Sequence, residues 1–146
     1  MTKKSKDVRL KQLLRLGICG ALIALIAMVG VLMASAVEVK YSEGLEFTSN
    51  GNGTCSVSGI GNCTDTEIVI PPESPDGEIV THIEDWAISL TSGVTNIVIP
   101  NTVKSVDFDA FAHCYNLVSI TFPASVTNIN GSPLRFCYSL ESIVVV

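Results

Sequence analysis

The chain has 146 residues, a net charge of −5 and 47% hydrophobic residues, with a mean hydropathy of +0.45 that is high for a water-soluble domain. Those averages conceal a division: residues 1–36 hold six of the nine bases and one acid, Asp7, for a net +5, while the other 110 hold Lys40, Lys104 and Arg135 against thirteen acids, for a net −10. An acidic body of that size excludes nucleic-acid binding, which relies on clustered Lys and Arg, and has room for one small domain.

The basic head, Lys3, Lys4, Lys6, Arg9, Lys11 and Arg15, precedes an apolar run from Leu16 to Val37, twenty-two positions without a charge. A run of that length can cross a bilayer as a helix with its backbone hydrogen bonds satisfied internally. The positive flank would keep the N-terminus cytoplasmic and send the acidic body across. Ala34-Ser35-Ala36 fits signal-peptidase cleavage, whereas the length of the run fits a retained anchor, so residues 1–36 read as a signal peptide or a transmembrane anchor. Either outcome places the body outside the cell or at its surface. Cys19 sits behind Ile18 at the start of the run, where a lipoprotein signal would want a small residue, and reads as a small apolar residue of the helix.

Residues 37–79 read as a linker and an N-terminal capping β-hairpin with an irregular first repeat. Leu45-Glu-Phe-Thr, the turn-rich segment 49–54 and Cys55-Ser-Val-Ser-Gly have the alternation and the turn residues of a hairpin. Cys55 and Cys63, eight apart around a predicted turn in an exported chain, make a candidate local disulfide, although spacing alone does not fix connectivity.

From Val80 onward the chain repeats every twenty-three residues: Pro100 with Pro123, Val103 with Val126, Val106 with Ile129, Phe111 with Leu134, Cys114 with Cys137, Leu117 with Leu140, and the triple Ile97, Ile120, Ile143. The register reaches back to Val80, Ile83, Ala87, Ile88 and Val94, then breaks after Pro71, where six extra residues enter. Within a unit, Ile97 and Ile99, like Ile120 and Phe122, alternate with Val98 and Thr121, which predicts a short strand with one apolar side. Proline ends that strand, since it donates no ladder hydrogen bond. A second extended piece follows (Val103–Val106, Val126–Ile129), then a compact apolar turn of at most one helical turn (Ala110–Cys114, Pro133–Cys137). One such unit cannot bury its apolar side alone, so equivalent units stack into a solenoid. The expected class is an α/β-type repeat solenoid of short strands and turns, preceded by the hydrophobic helix, with residues 80–146 as repeats and the last one incomplete.

The pattern V-x-x-I/V-x-x-x-A-F-x-x-C-x-x-L-x-x-I-x-I/F-P, seen from Val103 to Pro123, resembles the BspA-like leucine-rich repeats of bacterial and protist surface proteins. The resemblance spans roughly Leu45 to Val146 and implies an extracellular or cell-surface protein used in adhesion or other protein contacts. Two departures, Asp107 and the Gly131-Ser-Pro-Leu134 segment, touch the local turn and leave the register intact.

Chemistry-bearing constellations are sparse. His82 and His113 fall in different phases of the repeat, neither with an evident acid and serine set, so no nucleophile and base converge. No C-x-x-C pair offers a zinc site, the Glu84-Asp85 and Asp107-Phe-Asp109 pairs offer too few oxygens for calcium, and no Gly-rich phosphate loop is present. No cofactor or metal is expected. Asn52-Gly-Thr, Asn62-Cys-Thr and Asn130-Gly-Ser match a glycosylation acceptor, and turn chemistry explains the same residues. The best candidate for contact is the outward side of the main sheet, Asn96, Val98, Ser119, Thr121, Ser142 and Val144. The expectation is a non-catalytic binding or adhesion module whose partner is a protein or cell-surface ligand. The alternatives are a structural stalk or fragment of a longer surface array, and an accessory module of a secreted hydrolase. The unit that stops on Ser142-Ile-Val-Val-Val146 leaves an apolar coil end open to end-to-end self-association.

Overall fold

The computed structural model describes residues 39–146; the basic head and apolar run lie outside the described residues, and with them the expected membrane helix and its cleavage site. Nine strands are formed among the described residues: β1 (Glu46–Ser49), β2 (Thr54–Gly59), β3 (Glu67–Val69), β4 (Ile79–Ile83), β5 (Asn96–Val98), β6 (Ser105–Val106), β7 (Ser119–Phe122), β8 (Asn128–Ile129) and β9 (Ser142–Val145). They make two sheets, one in the order β1-β2-β4-β6-β8 and one in the order β3-β5-β7-β9. Successive strands of the chain alternate between the sheets from β2 onward, so each coil visits both.

The repeat is realised as in-register parallel pairing. Ile97 lies opposite Ile120 and Ile120 opposite Ile143, while Ser105 lies opposite His82 on one side and Asn128 on the other. Each partner is twenty-three residues along. Between β3 and β5 the interval widens, Glu67 pairing with Asn96. The extra residues are absorbed by a turn at Ser74–Gly77, closed by Gly77 N–H donating to Ser74 O at 2.9 Å.

Alternation then decides what is buried. Ile68, Ile97 and Ile120 from one sheet and Val57, Val80, Ile83 and Val106 from the other are fully buried in one cluster with Phe111 and Leu117 from the turns. The Phe111 and Phe122 rings meet in a T-shaped pair at 6.4 Å between centroids, a favoured aromatic geometry. Truncating a side chain such as Phe111 costs about 3–5 kcal/mol.

The apolar turn, expected to hold at most one helical turn, holds none, and no helix forms among the described residues. Trp86 and Asp109, one repeat apart, have φ of +61° and +54°, and Leu90, His113 and Phe136, again one repeat apart, have φ of +58°, +58° and +63°. Two left-handed residues per turn interrupt any helical run. The turns instead bond coil to coil: Ile88 and Leu90 N–H donate to Ala110 and Ala112 O, and Phe111 and His113 N–H to Pro133 and Arg135 O, at 2.8–2.9 Å.

The two ends of the stack differ. At the first, β1 lies antiparallel along β2, and Ser42 covers β3 through its N–H to Val69 O (2.9 Å) and its Oγ accepting from Val69 N–H (3.0 Å). At the other, all four residues of β9 are exposed.

Candidate functional site

The six outward sheet residues are brought together. Asn96, Ser119 and Ser142 form one column across β5, β7 and β9, and Val98, Thr121 and Val144 a second beside it. Ser119 Oγ donates to Asn96 Oδ1 at 2.6 Å, so part of the polar capacity of the face is spent between coils. Asn96, Val98, Ser119 and Thr121 are only partly exposed; Ser142 and Val144 are open. Side chains this small offer a partner little area to bury.

Cys55 and Cys63 are not brought together, and the described thiols are all free. Cys55 pairs with Ser49 in the hairpin, whereas Cys63 N lies beside Gly44, five residues of largely extended chain away, roughly 15 Å. A disulfide needs Cα atoms within about 7 Å. Cys114 and Cys137 act instead as rungs: Cys114 Sγ donates to Ile88 O at 2.9 Å and Cys137 Sγ to Phe111 O at 3.1 Å, each reaching one coil back. Thr91 occupies the same repeat position and lies 3.1 Å from Cys114 Sγ. Burial raises both thiols above their ordinary pKa.

His82 does find a serine and an acid. Its Nδ1 is 2.6 Å from Ser105 Oγ and its Nε2 2.8 Å from Asp107 Oδ2, while Asn130 Nδ2 donates to Asp107 Oδ1 at 2.7 Å. A carboxylate only accepts, so Nε2 carries a proton and donates to Asp107. The sequence reading missed this set because the partners are twenty-three and twenty-five residues away and meet only when coils stack. The set lies along adjacent strands of an open sheet, and the cleft lined by Lys40, Glu43, Gly44, Asn62, Thr64 and Asp65 holds none of its members. Acyl transfer would also need oxyanion donors and an enclosed substrate; here the three side chains tie coil to coil.

Four exposed aromatic side chains lie on the turns that carry the chain from the five-stranded to the four-stranded sheet. Trp86 is 42% exposed, Tyr115 45%, Phe136 40% and Tyr138 77%. Trp86 stacks on His113 at 6.2 Å between centroids and His113 meets Phe136 at 4.6 Å. Tyr115 stacks on Tyr138 at 6.2 Å, and His113 Nδ1 lies 2.9 Å from Tyr115 Oη. The result is a continuous aromatic row across three coils. Left-handed backbone at His113 and Phe136 turns these rings out of the core that Phe111 occupies.

Arg135 flanks the row. Its guanidinium carbon lies 5.3 Å from the centroid of Phe108 and 5.1 Å from that of Phe136, and Nη2 donates to Oδ2 of the fully buried Asp109. Asp109 Oδ1 accepts no hydrogen bond among the described residues, so Arg135 is the main compensation for that carboxylate. The repeat holds a trace of this surface, since His113 and Phe136, like Tyr115 and Tyr138, are twenty-three apart. The exposure of Tyr115, Phe136 and Tyr138 does not follow from the pattern, because an aromatic beside a buried Phe111 has the same pattern in either direction.

A family model described as the BspA type leucine-rich-repeat region matches residues 61–146 in six copies. The chain is also similar to a leucine-rich repeat protein from Bacteroides capillosus ATCC 29799 known from its crystal structure. The two are 23% identical with a TM-score of 0.51, over 77% of this chain and 99% of that one, a likeness that bears on the fold alone. No curated protein matches the chain.

Proposed function

This chain belongs to the BspA-type leucine-rich-repeat family, and from that premise we propose that it is a non-catalytic protein-binding module displayed at or beyond the cell surface, engaging its partner through the aromatic row. The observation that carries the reading is the row itself: Trp86, Tyr115, Phe136 and Tyr138 stand 40–77% exposed and are linked into one row through His113, flanked by Arg135. Trp, Tyr and Arg are the residues that most often dominate binding energy at protein interfaces. Export by the N-terminal segment agrees with the basic head and the apolar run.

The test compares the full-length chain with two variants in capture from surface-protein extracts: Tyr115→Ser with Tyr138→Ser, and Val98→Lys with Thr121→Lys and Val144→Lys. The row variant loses the specific partner and the sheet variant keeps it. The opposite outcome moves the site to the sheet columns, and retention by both removes each face. Mass spectrometry of the mature N-terminus, looking for cleavage after Ala36, decides between secretion and anchoring.

A second reading, end-to-end self-association, is favoured by β9, where Ile143 is 55% and Val145 71% exposed on a strand with one edge unpaired among the described residues. Such edges template pairing with another chain. Light scattering across a concentration series would show dimers abolished by Val145→Lys; a monomer at every concentration ends this reading.

A further inference from the structure

Resting on the aromatic row as the contact face, we infer that the partner element it takes is a basic polypeptide segment, with Lys or Arg side chains seated against the exposed rings. Charge complementarity is the first argument. Residues 39–146 hold three bases against twelve acids, net −9. Arg135, the base beside the row, is neutralised by the buried Asp109, and Lys40 and Lys104 lie outside the turns that carry the row. The acids next to Trp86 in the chain are Glu84, half-buried, and Asp85, exposed.

The second argument is a precedent inside the fold. Arg135 already sits against one ring of the row, Phe136, and against Phe108 beside it, which is how a ring quadrupole receives a guanidinium. Trp86, whose described ring partner is His113, and Tyr138, at 77% exposure, are the two ends of the row. Each offers a ring to a second cation, and indole binds cations best of the aromatic side chains. An anionic segment would meet the rings without a free base beside them and would be repelled by Asp85.

The chain carries a single tryptophan, so its emission reports directly on the site. The full-length chain is titrated with a Lys/Arg-Gly-Ser peptide and, separately, with the peptide in which Glu replaces each base. The basic peptide changes Trp86 emission saturably, and raising salt from about 50 to 200 mM weakens it roughly tenfold, as expected of exposed charges. Glu84→Gln with Asp85→Asn weakens it by a similar factor, and Tyr115→Leu with Tyr138→Leu, which keeps apolar area and removes the phenol rings, also weakens it. Circular dichroism confirms that the variants fold. Equal response to the Glu peptide, binding of the basic peptide without change at Trp86, or full affinity in the Glu84/Asp85 variant each overturns the inference. If the Tyr115/Tyr138 variant nevertheless loses its captured partner, the row remains the contact face and only its charge preference is wrong.

Discussion

Arg135 donates to a carboxylate buried among the described residues: Asp109, 0% exposed and held at φ +54°, has its Oδ2 on the guanidinium and its Oδ1 without a donor among those residues. Removing the cation strands a buried charge, whereas neutralising the acid does not. Arg135→Met is therefore expected to cost about 3 kcal/mol. Asp109→Asn is expected to cost less, because asparagine tolerates left-handed backbone and its amide can be satisfied more cheaply than a charge. The double variant should recover most of the loss. Urea unfolding of the four proteins measures this, and an Arg135→Met variant as stable as the parent would show that the pair is solvated and inert.

The left-handed positions can be tested where packing interferes least. Leu90 is 67% exposed at φ +58°, so little burial is lost on truncation. Glycine relieves a steric cost of roughly 1–2 kcal/mol but adds unfolded-state entropy of about 0.5–1 kcal/mol. Leu90→Gly should thus leave stability within about 1 kcal/mol of the parent. Leu90→Val, which places a β-branched residue in the left-handed region, should be less stable than the glycine variant by more than 1 kcal/mol. Thermal melts that rank valine above glycine would contradict the turn geometry.

Much of this fold was legible, and the reason is periodicity. The pairing of Ile97, Ile120 and Ile143, and the inward side shared by Ile97, Ile99, Ile120 and Phe122, follow from a repeat that identical coils can satisfy only by stacking in register. What escaped depends on side chains meeting across coils. His82 with Ser105 and Asp107, Arg135 with Asp109, and Cys114 with Ile88 are twenty-three to twenty-six residues apart, and no local pattern distinguishes such a pair from two solvent residues. The aromatic row escaped for a different cause: φ > 0 at non-glycine residues is uncommon, and it is what directs His113 and Phe136 outward. The sheet columns lie in register on the strands where the alternation places them.

The thiol rungs have a pH consequence. Burial raises Cys114 and Cys137 above the ordinary value of 9.0, so the folded state favours the protonated thiol. A group whose pKa is raised by folding contributes fully below its unfolded pKa and loses that contribution as pH climbs through the folded one. Stability should accordingly hold near neutral pH and fall above about pH 9. Alkylation follows the same order, because the thiolate is the nucleophile. At pH 8, iodoacetamide should modify the partly exposed Cys63 while Cys55 and Cys114, both fully buried, react only after denaturant is added. Peptide mapping that finds Cys114 labelled as fast as Cys63 in the native chain would refute the rung.

Gly131 occupies the position one repeat after Phe108, and its missing side chain is the space the Phe108 ring fills. It also has φ +67°, where Ser132, preceding Pro133, is restrained to extended backbone; the left-handed residue of this coil has moved one place earlier than Asp109 in the coil before. Gly131→Ala therefore carries two costs, roughly 1 kcal/mol for the left-handed backbone and a further loss from displacing a ring that packs under Arg135. The two are separable by a double-mutant cycle. In a Phe108→Ala background the clash is absent, so Gly131→Ala should cost only the backbone part, and the coupling between the sites should be about 1 kcal/mol. Strict additivity would mean that the ring moves aside freely, and the aromatic flank of Arg135 would then not be held by Gly131.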